Sequence, residues 1–400
     1  MKLTREQRDW LCLALTPGVG TARFIRLLAR LGTPGRVLSA TQAELADVVG
    51  DNLATRIRQN AQATDLDLQE DRMNEHGVIL LTMDDPLYPP QLAEIYDPPL
   101  LLYVRGELKD EDQYAVAIVG TRKASSHGLK MAHSLAFELA GRGITVVSGL
   151  AEGIDSAAHR GALEAGGRTI AVLGSGHDQV FPAANADLLH RIIHQGCAIS
   201  PFPMGMHALK QNFPQRNRVL SGLCLGTIVV EAPPGSGSLI TAKYAAEQGR
   251  EVFAVPGPAG FANSRGPHEL IRDGARLVES VDDILVELNL PPALRRAPVK
   301  KAAPPVESVQ ATLEFASPAR AASGQSEQPR PGQTPAAPSP KYALSKTEEV
   351  ILGSLHPEGS FVDEISLTCR ISISEALSSL TMLELKGLVR QLSGKRFAPR

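Results

Sequence analysis

From residue 115 the chain repeats one pattern: a short run of β-branched and apolar residues, then a longer stretch with helical period. The runs are AVAIV (115–119), ITVV (144–147), TIAVL (169–173), CAIS (197–200), TIVV (227–230), EVFAV (251–255) and ARLV (275–278). Their starts lie 29, 25, 28, 30, 24 and 24 residues apart, the length of one strand-plus-helix unit each. Runs that are apolar on both faces suit a parallel sheet covered by helices on both sides. The spacing therefore predicts an α/β, doubly wound, Rossmann-like domain over residues 106–290.

The flanks read differently. Residues 1–80 are helical in pattern and expected to form a SAM-like or helix-hairpin-helix-like domain. There Thr16-Pro17-Gly18-Val19-Gly20 joins an apolar helix to TARFIRLLARLG, with a weaker echo at LADVVGDNLATRIRQ. Such a turn can present helix N–H groups to phosphate, or simply pack a tight helical hairpin; both readings stand. Residues 81–105 are proline-punctuated, a connector whose last part is a strand. The stretch 291–340 holds 11 of the chain's 29 prolines and too few large apolar residues to offset the entropy of ordering it. Residues 291–341 are thus expected to be a disordered tether. Beyond it, 342–400 reads as helices over 345–354, 362–368 and 373–386, then LVRQLSGKRFAP as a hairpin with Ser393-Gly394 at its tip. That is a winged-helix order. Its third helix sets Glu375 and Glu384 against Lys386, and acids facing phosphate are repelled, so docking onto a protein fits at least as well as reading DNA.

In doubly wound sheets ligands bind at the carboxyl ends of the strands. The loops there share one chemistry: Gly120-Thr121-Arg122-Lys123-Ala124-Ser125 after the first run, and Ser148-Gly149-Leu150-Ala151-Glu152-Gly153-Ile154-Asp155 after the second. Gly174-Ser175-Gly176 follows the third, and Glu231-Ala232-Pro233-Pro234-Gly235-Ser236-Gly237-Ser238 the fifth. Glycine admits a ligand close to the backbone, and the helix starts that follow offer N–H donors. Tight packing explains any one such loop; four on one rim, with cations, point to phosphate. The formal charge is only −2, so a polyanion must be held by local cations. Those are Arg122-Lys123 and the stretch Lys210-Gln211-Asn212-Phe213-Pro214-Gln215-Arg216-Asn217-Arg218. Phe213 among them suggests base stacking and hence a single-stranded polynucleotide rather than a mononucleotide. The bland alternative makes Phe213 a core residue and pairs Arg216 and Arg218 with acids such as Asp155 or Glu231.

Other chemistries find little support. No GxxxxGK[ST] or GxGxxG loop is present. Cys12, Cys197, Cys224 and Cys369 are far apart, which argues against disulfides or a zinc finger. His190 and His194 share a helix face but lack a third ligand, so no metal is expected. No apolar run is long enough for a membrane span, and the charged start MKLTREQRDW lacks a signal-peptide core. A cytoplasmic protein without membrane, metal or cofactor is expected.

The segments AIVGTRKAS, SGLAEGIDSAAHRGAL, FPQRNRVLSGL, VVEAPPGSGSLITAKYAAEQGREVFAVPG and HELIRDGA together resemble the DNA-processing protein A family (DprA/Smf). The resemblance implies a bacterial, non-enzymatic protein that binds single-stranded DNA without strong sequence preference. It implies loading of RecA during natural transformation, displacement of single-strand-binding protein, and a homodimer through the Rossmann-like domain. Carried over by residue, Gly120, Thr121, Arg122 and Ser125 match the family's phosphate-gripping turn, and Ser148, Gly149, Gly153 and Asp155 its second loop. Lys210 and Phe213 stand where a cation and a stacking aromatic are expected. Arg216, Asn217, Arg218 and Ser221 match the RNR segment, and Gly235, Gly237, Ser238 and Thr241 the glycine-rich helix start. The rival is a nucleoside monophosphate phosphoribohydrolase with a PGGxGTxxE loop. Thr241 replaces the glutamate that loop needs, and a hydroxyl cannot act as its carboxylate.

Overall fold

The computed structural model describes residues 2–63, 65–288, 290–292, 294, 346–356, 359–369, 371–386, 388–392 and 396–399. They fall into two compact units, Met1–Val309 and Gln310–Arg400. Six helices open the first unit: α1 (Arg5–Ala14), α2 (Thr21–Leu31), α3 (Pro34–Ser39), α4 (Gln42–Val49), α5 (Asp51–Ala63) and α6 (Leu66–His76). Side-chain oxygens start several of them. Thr4 with Gln7 and Thr41 with Glu44 form capping boxes, and Gly77 at φ 63° closes α6. The bundle buries Trp10 against Phe24, ring centroids 4.5 Å apart, together with Leu13, Leu27, Leu45 and Ile57.

The sheet begins earlier than its repeating pattern indicates. β1 (Val78–Thr82) and β2 (Leu101–Gly106) pair antiparallel, and β2 pairs antiparallel with β6 (Cys197–Ser200). β2 is the strand expected at the end of the connector, while β1, the edge strand, straddles the expected boundary between the helical domain and the connector. Leu80, Leu101 and Tyr103 share one core with Trp10 and Leu13, so the helical bundle packs directly on this edge. The other strands are parallel: β3 (Ala115–Val119), β4 (Thr145–Ser148), β5 (Thr169–Val172), β7 (Gly226–Val229), β8 (Glu251–Ala254) and β9 (Arg276–Leu277). The sheet order is β1-β2-β6-β5-β4-β3-β7-β8-β9. Each expected run is found, trimmed or shifted by a residue or so.

Helices cover both faces. The short α7 (Pro90–Ala93) precedes β2, and α8 (Ser126–Gly141), α9 (Ile154–Glu164) and α10 (Ala186–Gln195) follow β3, β4 and β5. α11 (Asn212–Gly222), α12 (Gly237–Glu247), α13 (Ala262–Arg272) and α14 (Val281–Glu287) complete the set. Leu135 and Leu139 of α8, Ala158 of α9 and Ile284 of α14 pack on Ile118, Val146 and Ile228. On the opposite face Leu92, Val219, Leu220 and Ala242 pack on Ala117, Val147 and Val229. Alternate residues of the central strands thus serve separate cores, which is why the runs are apolar throughout.

The second unit contains helices Lys346–Ser354, Val362–Cys369 and Ile373–Leu385 and a small sheet ordered β10-β12-β11 (Ser360–Phe361, Arg396–Pro399, Val389–Leu392). Ile351, Ile365, Leu380, Leu383 and Phe397 fill its core. Ser372 and Glu375 form a capping box, and Lys386 Nζ lies 2.7 Å from Glu348. The expected hairpin is present as β11 and β12. Its tip lies outside the described residues, as does the expected tether apart from Pro291, Pro292 and Leu294. No helix among the described residues is long and apolar enough to cross a membrane.

Candidate nucleic-acid interface

The strand order reverses at β3 and β7, where a doubly wound sheet opens a crevice beyond its carboxyl ends. Three loops meet there backbone to backbone, those after β3, β4 and β7. Thr121 N–H donates to Glu231 O at 2.7 Å, and Ile154 N–H to Thr121 O at 3.3 Å. Glycines permit this approach. Gly153 has φ +78°, and a Cβ on it would lie 2.7 Å from Arg122 O and collide with Thr121 O. A Cβ on Gly120 would lie 2.9 Å from Glu231 O.

Beneath these loops sits a buried charge. Arg216 on α11 is 6% exposed; its Nη1 donates to Gly149 O and Val172 O at 2.5 and 2.7 Å, and its Nε to Asn217 Oδ1 at 2.9 Å. Burial pulls its pKa down to about 10, opposed by the field of Asp155, while Arg122 adds to the fall. Asp155 is buried too and accepts from the N–H groups of Gly149 (3.1 Å) and Ala151 (3.3 Å). Burial pushes its carboxyl up, against the stabilising field of Arg216 and those N–H groups. Arg216 and Asp155 together fix the shape of the 149–151 loop. Glu231 behaves otherwise. Among the described residues it pairs with no arginine, but accepts from Ser125 N (2.9 Å), Ser125 Oγ and Asn263 Nδ2 (3.0 Å), and Ser125 in turn caps α8 through Gly128 N.

Above the buried arginine the exposed surface is cationic and aromatic. The half-buried Phe213 ring has the Arg122 guanidinium carbon 5.5 Å and that of Arg216 5.6 Å from its centroid. Phe181 lies 6.1 Å away, tilted by 57°. A cavity of about 430 Å³ runs from Arg122, Lys123 and Phe213 past Asn217 to Ser236, Gly237, Ser238 and Thr241, with Asp155 and Arg216 also lining it. A smaller one of about 110 Å³ adjoins it between Arg122, Gly149, Phe181, Phe213 and Arg216. At the far side Ser236 caps α12, and Cβ atoms on Gly235 (φ +77°) or Gly237 would meet nothing within 4 Å, so that backbone is open to a ligand. Asn217 Nδ2 anchors this turn at Gly237 O, 3.2 Å away.

Most of the residues singled out in the sequence therefore line the crevice or shape it; a few lie away from it. Ser148 is fully buried and donates to Ile118 O. Arg218 turns to the other side of α11 and pairs with Asp97, and Ser221 donates to Gln248 Oε1 at 2.7 Å. Lys210 is exposed just ahead of α11 and lines neither cavity. Phe181, 47% exposed, and Asn263 were not singled out. Phe181 lies in the β5 loop, beyond the glycines that drew notice there.

The family model for DNA recombination-mediator protein A matches residues 79–289, and that for the DprA winged helix domain matches 335–395. The chain belongs to the DNA recombination-mediator protein A family. The family match opens at Ile79, within β1, consistent with the sheet starting there. Protein Smf of Synechocystis is 33% identical over 402 residues, covering 99% of both chains. DNA processing protein DprA of Streptococcus pneumoniae is 42% identical over 247 residues, 62% of this chain and 86% of that one. The X-ray structure of DprA from Streptococcus pneumoniae superposes with TM-score 0.62 at 35% identity, covering 73% of this chain and all of that one. The winged-helix match falls within the second unit.

Proposed function

We propose that the crevice binds single-stranded DNA with little sequence preference, and that the protein is a non-enzymatic loader of RecA onto incoming DNA in natural transformation. One observation carries the reading: the exposed Arg122 guanidinium stands over the Phe213 ring beside open glycine backbone at the start of α12. Arg122, Lys123 and the first N–H groups of α12 meet phosphates, while Phe213 offers a face on which any base stacks. Contacts to backbone and base face, rather than base edge, leave sequence unread. A homodimer through the Rossmann-like domain would present two such crevices and hold a strand extended for RecA as single-strand-binding protein leaves. In the winged helix, Glu375 is spent on a cap and Lys386 on an ion pair, which supports protein docking for that module.

The phosphoribohydrolase alternative lacks a free carboxylate in the larger cavity. Thr241 donates to Gly237 O, and Asp155 is engaged by backbone N–H groups. Retention of labelled oligo-dT with steep salt dependence supports the proposal; no retention in dilute buffer, or release of free base from nucleoside monophosphates, overturns it.

A further inference from the structure

The rim continues past β7 into a cavity that the reading above does not use. It measures about 300 Å³ and is lined by Val230, Val255, Pro256, Pro258 and Phe261 together with Glu231 and the start of α8 at Ser126 and His127. Asn263 lines both this cavity and the 430 Å³ crevice, and Arg122 and Phe213 join that crevice to the smaller one beside Phe181. The cavities thus form a row, ordered as the strands beneath them, β5-β4-β3-β7-β8. At about 4.8 Å per strand the row spans roughly 19 Å from β5 to β8.

Chemistry along the row alternates. Phe261, in the loop after β8, is 61% exposed. The Glu231 carboxylate is held by Ser125 and Asn263, and its charge keeps a phosphate out of the cavity. Apolar walls with an aromatic at the mouth suit a nucleobase instead. The Lys123 main-chain oxygen accepts from the cavity-lining Asn263, and Arg265 lies two residues beyond Asn263 on α13. Both side chains are exposed and not ion-paired with a carboxylate among the described residues, and so offer cations to a passing backbone.

We propose that this cavity takes the base of a further nucleotide, stacked on Phe261, so that a strand held at Phe213 continues across β3 and β7 to β8. The proposal rests on the single-strand reading and adds a second aromatic station with its own cations. Its test is oligo-dT of graded length, with Phe261→Ala and Phe261→Trp in the full chain. Phe261→Ala should lower the ratio of long- to short-oligonucleotide affinity about fivefold or more. The protein has one tryptophan, Trp10, buried in the helical bundle, so the added indole of Phe261→Trp is read by difference and should be quenched by long but not short oligonucleotides. An unchanged ratio with unquenched indole, in a protein whose binding Phe213→Ala still weakens, overturns this proposal alone. A wild-type chain that retains no oligonucleotide of any length overturns it together with the reading beneath it.

Discussion

Replacing Arg122 by alanine removes one charge proposed to meet a phosphate while leaving the fold intact. The side chain is exposed and its recorded contact is with the Phe213 ring, 5.5 Å from the centroid. Such a contact is worth about 0.5–1 kcal/mol at an exposed site. Against that, the Arg122 charge helps to depress the pKa of buried Arg216, so its loss also relieves a repulsion. The unfolding midpoint should hardly move. Binding should change in a defined way. Each phosphate neutralised on a single strand adds about −0.7 to the slope of log K against log salt. Arg122→Ala should therefore flatten the slope by about 0.7, measured by fluorescence anisotropy with labelled oligo-dT. Between about 50 and about 200 mM salt, the wild-type advantage then shrinks by about 2.6-fold. Arg122→Lys keeps the charge and should keep the slope, while losing the planar fork. A folded Arg122→Ala protein with an unaltered slope would refute the assignment of a phosphate to this residue.

Other outcomes test neighbouring parts of the argument. Phe213→Ala should weaken oligo-dT by about 1–3 kcal/mol with the salt slope unchanged, since stacking releases no counterion; anisotropy reads both quantities. Arg216→Gln strips the donors from Gly149 O and Val172 O and should lower stability in urea by at least about 2 kcal/mol; a smaller loss would place the arginine's role in binding rather than in shaping the loop. Burial pulls the pKa of His159 from 6.5 to about 3 and that of His177 to about 4. Below about pH 6.5 the unfolded chain takes up protons that these folded imidazoles refuse. Stability should therefore fall with decreasing pH, by up to about 1.4 kcal/mol per pH unit for each histidine. His177→Asn should make that fall shallower in urea titrations at pH 7, 6 and 5, and an equal slope in both proteins would contradict this account.

Legibility in the sequence followed the range of the interactions. The central strands were readable because a strand buried on both faces must be apolar at successive positions, and a crossover helix sets a fixed minimum spacing. The carboxyl-end loops were readable for the same local reason, since glycine at a strand-to-helix turn is a backbone requirement, as Gly153 shows at φ +78°. β1 was harder: it is an edge strand paired antiparallel to β2, outside the repeat, whereas β2 is the strand expected at the end of the connector.

Within the site, Arg216-Asn217-Arg218 reads as one basic motif, yet it lies on a helix. Turning about 100° per residue, α11 aims Phe213, Arg216 and Asn217 at the crevice and sends Arg218 round to Asp97. The motif alone therefore could not separate the buried loop-former from the peripheral ion pair. Phe181 and Phe261 come from loops about 80 residues apart in the chain. Primary structure determined the central strands, the glycine turns and the presence of basic and aromatic residues in the loops, all set by neighbours close along the chain. Only folding decided which of those side chains share a cavity, because that depends on strand order and helix rotation, and neither is written in any short stretch of residues.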